Sequence, residues 1–173
     1  RGVHGGRYCV SDPGRCGGNA LNFPLFIDLK DKKVLIVGAG AIAARRATVL
    51  TEFGAKVTVV APEAGSGIQE LAQAGRIVWR QHIFGAQDLE ELAQSFLVIA
   101  ATSDRAVNDH IVHLCHERHI PVNHAGDQTQ CDFQFPAIVQ KNPVVIGVNA
   151  GGKDHGLVRR VAAGLREWVA GVL

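Results

Sequence analysis

Apolar positions fall into short unbroken runs, separated by stretches in which they recur every third or fourth residue. The runs Lys33–Val37, Lys56–Ala61, Ile77–Gln81, Phe96–Ala101 and Pro121–His124 are mostly Val, Ile, Leu and Ala with little polar alternation. Such runs predict strands buried on both faces. Between them, Ala41–Phe53, Ser66–Ala74, Ala86–Gln94 and Asp104–His119 carry helical spacing. In the first helix Ile42, Val49 and Phe53 form one stripe, with Ala43, Ala47 and Leu50 beside it, and Gly54 ends it. This alternation predicts an α/β fold: a Rossmann-like parallel sheet with helices on both faces.

After the fifth strand the rhythm changes. Cys131–Val139 and Pro143–Ala150 predict two extended segments around Lys141-Asn142-Pro143, and His155–Val172 predicts a terminal helix. Leu157, Val161, Leu165, Trp168 and Val172 form an apolar stripe on that helix, flanked by Val158, Ala162 and Val169. That much apolar surface needs a cover, from the chain's own sheet or from a second subunit. The expected organisation is a nucleotide-binding domain over residues 23–125 and a β-rich, helical dimerisation extension over 126–173. Residues 1–22 are rich in Gly and short of apolar residues, and are expected to be a flexible leader outside the fold.

Size and charge narrow the function classes. A chain of 173 residues holds one α/β domain plus an appendage. A net charge of +2 with 20% charged residues is too balanced for an electrostatic nucleic-acid binder. No apolar run approaches the ~20 residues of a membrane span. The four cysteines (Cys9, Cys16, Cys115, Cys131) form no Cys-x-x-Cys pair, and His4, Cys9 and Cys16 match no zinc spacing. With no signal-peptide pattern, a reducing, cytoplasmic location is the expectation.

The strongest chemical signal lies where the first strand meets the first helix. Gly38-Ala39-Gly40-Ala41-Ile42-Ala43 is a Gly-x-Gly-x-x-Ala turn between a strand and a helix, the context a dinucleotide site requires. Small residues let the backbone turn tightly and approach a pyrophosphate, and the helix start presents unpaired N–H groups to it. Gly38, Gly40, Ala41, Ile42 and Ala43 are therefore candidate cofactor residues; the alternative is a turn that binds nothing. The second strand ends at Ala61 rather than at an acid, so Pro62 and Glu63 are expected at the adenosine end. No arginine occurs from Pro62 to Gly67, which favours NAD over NADP. Thr102, Ser103 and Asp104, after the fourth strand, are expected beside the nicotinamide half. His110, His113, His116 and His119 recur every third residue on one helix, a spacing that spirals round it and predicts no metal site.

Five ordered blocks resemble the precorrin-2 dehydrogenase family, the sirohydrochlorin-forming enzymes that include the dehydrogenase part of sirohaem synthases. They are Phe23-Pro24-Leu25-Phe26-Ile27-Asp28-Leu29 with the Gly38–Arg46 turn, Val59–Glu63, Ile99–Asp104 with Val107-Asn108, Phe133–Ala137, and Val148–Gly152. The resemblance implies a short opening strand at Phe23–Leu29, an intertwined homodimer, and NAD-dependent oxidation of the tetrapyrrole precorrin-2. It also implies a small C-terminal helical domain, expected here to be missing or truncated. Some relatives also insert ferrous iron, but no ligand set for that is visible. The family's catalytic aspartate, three residues after Asn123, is matched by Gly126. Asp127 and His124 are the candidate bases, with an ordinary turn role as the alternative for Asp127. Where the family tends to have Thr-Ser-Pro, this chain has Lys153-Asp154-His155. Lys153 and Arg159, with Arg160, are candidate partners for substrate carboxylates; the alternative is a solvated helix start capped by Asp154. Gly126 and the altered segment leave open a non-catalytic nucleotide-sensing or tetrapyrrole-binding module.

Overall fold

Five of the apolar runs become strands of one sheet; four are buried on both faces, while the edge run at Ile77 is buried only in part, with Val78 59% exposed. In the computed structural model, which describes residues 22–172, they are Lys33–Val37 (β1), Lys56–Val60 (β2), Ile77–Arg80 (β3), Leu97–Ala100 (β4) and Val122–His124 (β5). All pair in parallel in the order β3-β2-β1-β4-β5. Val34, Ile36, Val57, Val59 and Ile99 point to one face, beneath Ala41–Glu52 (α1) and Ser66–Gln73 (α2). Leu35, Val37, Val60, Val98 and Val122 point to the other, beneath Leu89–Gln94 (α3) and Arg105–Glu117 (α4). Each such side chain contributes about 1.5–3 kcal/mol by leaving water. The chain switches faces after β3, so the strand order reverses between β1 and β4, and the C-terminal ends of those strands open a crevice. The α/β, Rossmann-like expectation holds. The expected leader, with His4, Cys9 and Cys16, lies outside the described residues except for Asn22.

Several local expectations change. The buried stripe of α1 is Ala43, Ala47 and Leu50, while Ile42 is exposed. Alanines let the helix lie close against the sheet behind a tight turn, and that close approach decides the face. The helix expected over Ala86–Gln94 begins as a 3₁₀ turn, Ala86–Asp88, and α3 starts at Leu89. Asp88 is fully buried; it accepts from the Gly85 N–H (3.0 Å) and lies 2.9 Å from His82 Nε2, which tightens the entry. Phe23–Leu29 forms no strand, because no strand edge of the described residues pairs with it.

The extension is a separate antiparallel hairpin, Ala137–Lys141 (β6) with Val144–Val148 (β7), covered by His155–Val172 (α5). Cys131–Pro136 is not strand. The Val122 N–H donates to the Asp132 carboxylate (2.9 Å) and the His124 N–H to Cys131 Sγ (3.2 Å), which tie this stretch to β5, and Pro136 has no N–H to donate. Lys141 belongs to β6 rather than to the turn. On α5 the buried residues are Ala162 and Val169, packed with Val139. The expected stripe residues Leu157, Val161, Trp168 and Val172 stay exposed, Trp168 at 60%. Of the expected stripe Leu165 alone packs against this core, so the stripe is offset from the face that meets the hairpin. No helix of the described residues is long and apolar enough to cross a membrane.

Candidate functional site

The two glycines after β1 do different work. Gly38 has φ 106°, and a Cβ there would fall on the Ala101 carbonyl at the end of β4. It is required by a wall of protein. Gly40 has extended backbone, and a Cβ there would meet nothing within 4 Å. Gly40 caps α1 with no side-chain hydrogen bond, and the leading N–H groups of Ala41, Ile42 and Ala43 have no acceptor among the described residues. A site with free N–H groups, a positive helix end and room for close backbone approach fits a pyrophosphate. Ala43, fully buried, seats the helix, while Ala41 and Ile42 lie exposed at its mouth.

The neighbouring strand ends complete the crevice. At the tip of β2, Ala61 is buried and its carbonyl accepts from the Trp79 indole N–H (3.0 Å), with Pro62 and Glu63 exposed beyond it. At the tip of β4, buried Asn108 latches the loop: its Oδ1 accepts from the Thr102 N–H (3.0 Å) and its Nδ2 donates to the Thr102 carbonyl (3.1 Å). Asp104 caps α4, accepting from the N–H groups of Ala106 (2.8 Å) and Val107 (3.3 Å). Its carboxylate is therefore already hydrogen-bonded within the helix start; Ser103 and Asp104 are exposed, and Thr102 is half-buried.

Beyond β5 the two candidate bases are both engaged. Asp127 accepts from the Thr129 hydroxyl (2.6 Å), the Thr129 N–H (3.0 Å) and the Gln130 amide (3.2 Å), and pairs with Arg105 Nη2 (2.9 Å). The Thr129 hydroxyl first, then the other donors and Arg105, hold its carboxyl down at about 2. Hydrogen bonds to the charged form favour it, so Asp127 takes up a proton less readily than a free carboxylate. It acts as the cap of the 3₁₀ turn Gln128–Gln130. His124 is 3% exposed, and its Nδ1 accepts from the Gly126 N–H (3.0 Å). That bond leaves the proton on Nε2, which is buried without a hydrogen-bond partner and lies 3.3 Å from Asp109 Oδ1. Cys131 Sγ lies 3.3 Å from the His124 carbonyl, and burial pushes its thiol up.

The extension approaches this loop through Gly152, whose φ is 72° and where a Cβ would overlap the Gln128 side chain. Asp154 caps α5, accepting from the Leu157 N–H (2.7 Å). Lys153, Arg159 and Arg160 are exposed and form no ion pair with a described acid. On the α1 side, the Arg46 guanidinium lies over the Phe135 ring at 5.1 Å. The α4 histidines diverge: His113 pairs with Glu117 and His116 with Asp132, both at 3.3 Å. No group of three metal-binding side chains converges among the described residues.

Sequence reasoning did not single out Asp109, Arg105 or Gln130. Arg105 and Asp109 were visible as an i,i+4 pair on one helix. Their link to the loop after β5 exists only through parallel β4–β5 pairing.

Fold and site define a Rossmann-type dinucleotide-binding protein. Residues 25–137 match the family described as putative NAD(P)-binding. The siroheme synthase of Photorhabdus laumondii is 42% identical over 138 residues, covering 80% of this chain and 29% of that protein. A probable multifunctional siroheme biosynthesis protein HemA of Ruminiclostridium josui is 42% identical over 146 residues, covering 84% of this chain and 28% of that protein. The solved structure of SirC, precorrin-2 dehydrogenase, superposes with a TM-score of 0.70 at 28% identity, over 84% of this chain and 70% of that one. The chain belongs to the putative NAD(P)-binding family and to the precorrin-2 dehydrogenase family that includes part of the siroheme synthases. It spans less than a third of the length of the curated relatives it matches.

Proposed function

We propose that this chain catalyses the NAD-dependent oxidation of precorrin-2 to sirohydrochlorin, the dehydrogenase step of siroheme biosynthesis. The observation that carries the reading is the open cradle at Gly40, set at the strand-order reversal of a sheet similar to that of SirC. In this reading residues 23–125 hold the dinucleotide and residues 126–173 form the dimerisation extension. Gly38, Gly40, Ala41, Ile42 and Ala43 hold the pyrophosphate, and Pro62 and Glu63 border the adenosine ribose. Glu63, with no arginine beside it, favours the free hydroxyls of NAD over a 2′-phosphate. Thr102 and Ser103 border the nicotinamide, with Asp104 fixing their loop.

Bound NAD⁺ supplies the hydride acceptor; the chain supplies orientation, charge and a route for the proton. Lys153, Arg159 and Arg160 offer unpaired cations to a substrate with eight carboxylates. A homodimer is part of the reading, supported by the exposed apolar face of α5 and by exposed Phe23, Leu25 and Phe26. So is a cytoplasmic location, which suits the free thiols of Cys115 and Cys131.

Gly126 favours a second reading, a module that binds nucleotide and tetrapyrrole without turnover. An anaerobic assay with precorrin-2 and NAD⁺, following sirohydrochlorin absorbance, separates the two. Absorbance growth that needs both reactants supports the dehydrogenase; binding of NAD⁺ without any growth supports the module.

A further inference from the structure

The oxidation removes a hydride and a proton from the macrocycle, yet the position matched to the family's aspartate is Gly126 and Asp127 is held at about 2. Three acids lie at the β4–β5 lip of the crevice: Asp104, Asp109 and Asp127. Asp104 is fixed by two helix N–H groups and Asp127 by three hydrogen bonds and Arg105. Asp109 carries a single hydrogen bond, from the Gln130 amide (2.9 Å), and its side chain is 41% exposed. Arg105 Nε stands 3.6 Å from its other oxygen.

His124 connects Asp109 with the vacant position. A Cβ at residue 126 would lie 3.4 Å from His124 Cε1 and 3.7 Å from Nδ1. Asp109 Oδ1 lies 3.3 Å from Nε2, on the other side of the same ring. That Nε2–H is buried without a hydrogen-bond partner, a costly state that a small swing of Asp109 relieves. Catalytic hydrogen bonds are commonly long before substrate arrives and tighten in the complex.

Resting on the dehydrogenase reading, we propose that Asp109 is the general base of this chain, held by His124 and Gln130 and replacing a carboxylate at position 126. One macrocycle C–H bond breaks with its electron pair leaving as hydride to the nicotinamide. A second C–H bond breaks toward Asp109, an O–H bond forms, and the electron pair left behind becomes the new C=C bond. The macrocycle loses two electrons and NAD⁺ gains them. The proton leaves through the exposed side of Asp109.

The test compares native protein, Asp109→Asn, Gly126→Asp and the double variant. It measures anaerobic turnover, NAD⁺ affinity by calorimetry, sirohydrochlorin binding by fluorescence quenching, and thermal midpoint. Asp109→Asn is expected to lower kcat by about 100-fold or more, with both affinities and the midpoint nearly unchanged. Adding Gly126→Asp, which the space at residue 126 admits, is expected to restore kcat to within about tenfold of native, part of the ~10²–10⁴-fold effect of a base. Full turnover in Asp109→Asn overturns this assignment and leaves the dehydrogenase reading standing. So does a double variant that folds, binds both ligands and stays slow, because Asp109 is then structural. A native protein that binds NAD⁺ yet never turns over overturns both.

Discussion

Gly38 and Gly40 look alike in a motif and differ in what they prevent. Gly40→Val puts a branched side chain into the open space before the α1 N–H groups. Calorimetric titration is expected to show NAD⁺ binding by the native protein and none by the variant; equal affinities would remove the cradle. Gly38→Ala acts on folding, since φ 106° and the Ala101 carbonyl both oppose a Cβ. Chemical denaturation is expected to show a loss of more than about 1 kcal/mol. Asp127 makes a pH-dependent contribution. Its carboxyl is held at about 2 against an ordinary 3.8, so the stabilisation is full above the ordinary value and is lost as pH falls through about 2. Asp127→Ala is therefore expected to melt lower than native at pH 7, with the gap closing between pH 4 and pH 2. A gap that stayed constant over that range would mean the carboxylate contributes nothing through its charge.

At the scale of elements, α5 and the β6–β7 hairpin form a small core of their own around Val139, Ala162 and Val169. Val169→Ala removes two buried methyl groups from it and is expected to cost roughly 1–3 kcal/mol, within the range for truncating core side chains. Val161→Ala, on the exposed side of the same helix, is expected to cost less than about 0.5 kcal/mol in the isolated subunit. Denaturation at submicromolar concentration reads both, and a reversed order would assign α5 the other face. Helical periodicity marked α5 as amphipathic, but Leu157–Val161–Trp168 and Val158–Ala162–Leu165–Val169 are neighbouring stripes about one residue apart, and Leu165 packs with the second. Which one meets the hairpin depends on the position of β6, which lies outside the helix's own sequence. The same holds for α1, where the alanine side won over Ile42.

For the whole molecule, Leu157, Val161, Trp168 and Val172 together with Phe23, Leu25 and Phe26 lie exposed among the described residues, the apolar surface on which the proposed dimer rests. Light scattering at micromolar concentration is expected to give twice the subunit mass, and Trp168→Glu to give the subunit mass with the far-ultraviolet spectrum kept. A native monomer would sink the dimer. The sequence by itself determined the strands, the helices, their alternation and the dinucleotide turn. Those features are local: buried runs, 3.6-residue spacing and a turn that only small residues permit. It also pointed to the loop after β5 as the place where chemistry departs from the family. Tertiary structure alone decided which face each helix buries, that Phe23–Leu29 has no strand partner within the described chain, and which groups hydrogen-bond the acids at the lip. Asp127 is one residue from the expected catalytic position, but Thr129, Gln130 and Arg105 hold it ionised. Asp109 is seventeen positions away in sequence and reaches the same imidazole because β4 and β5 lie side by side. Charge and hydrogen bonding act through space, so the state of a carboxylate is set by neighbours that only the fold brings to it.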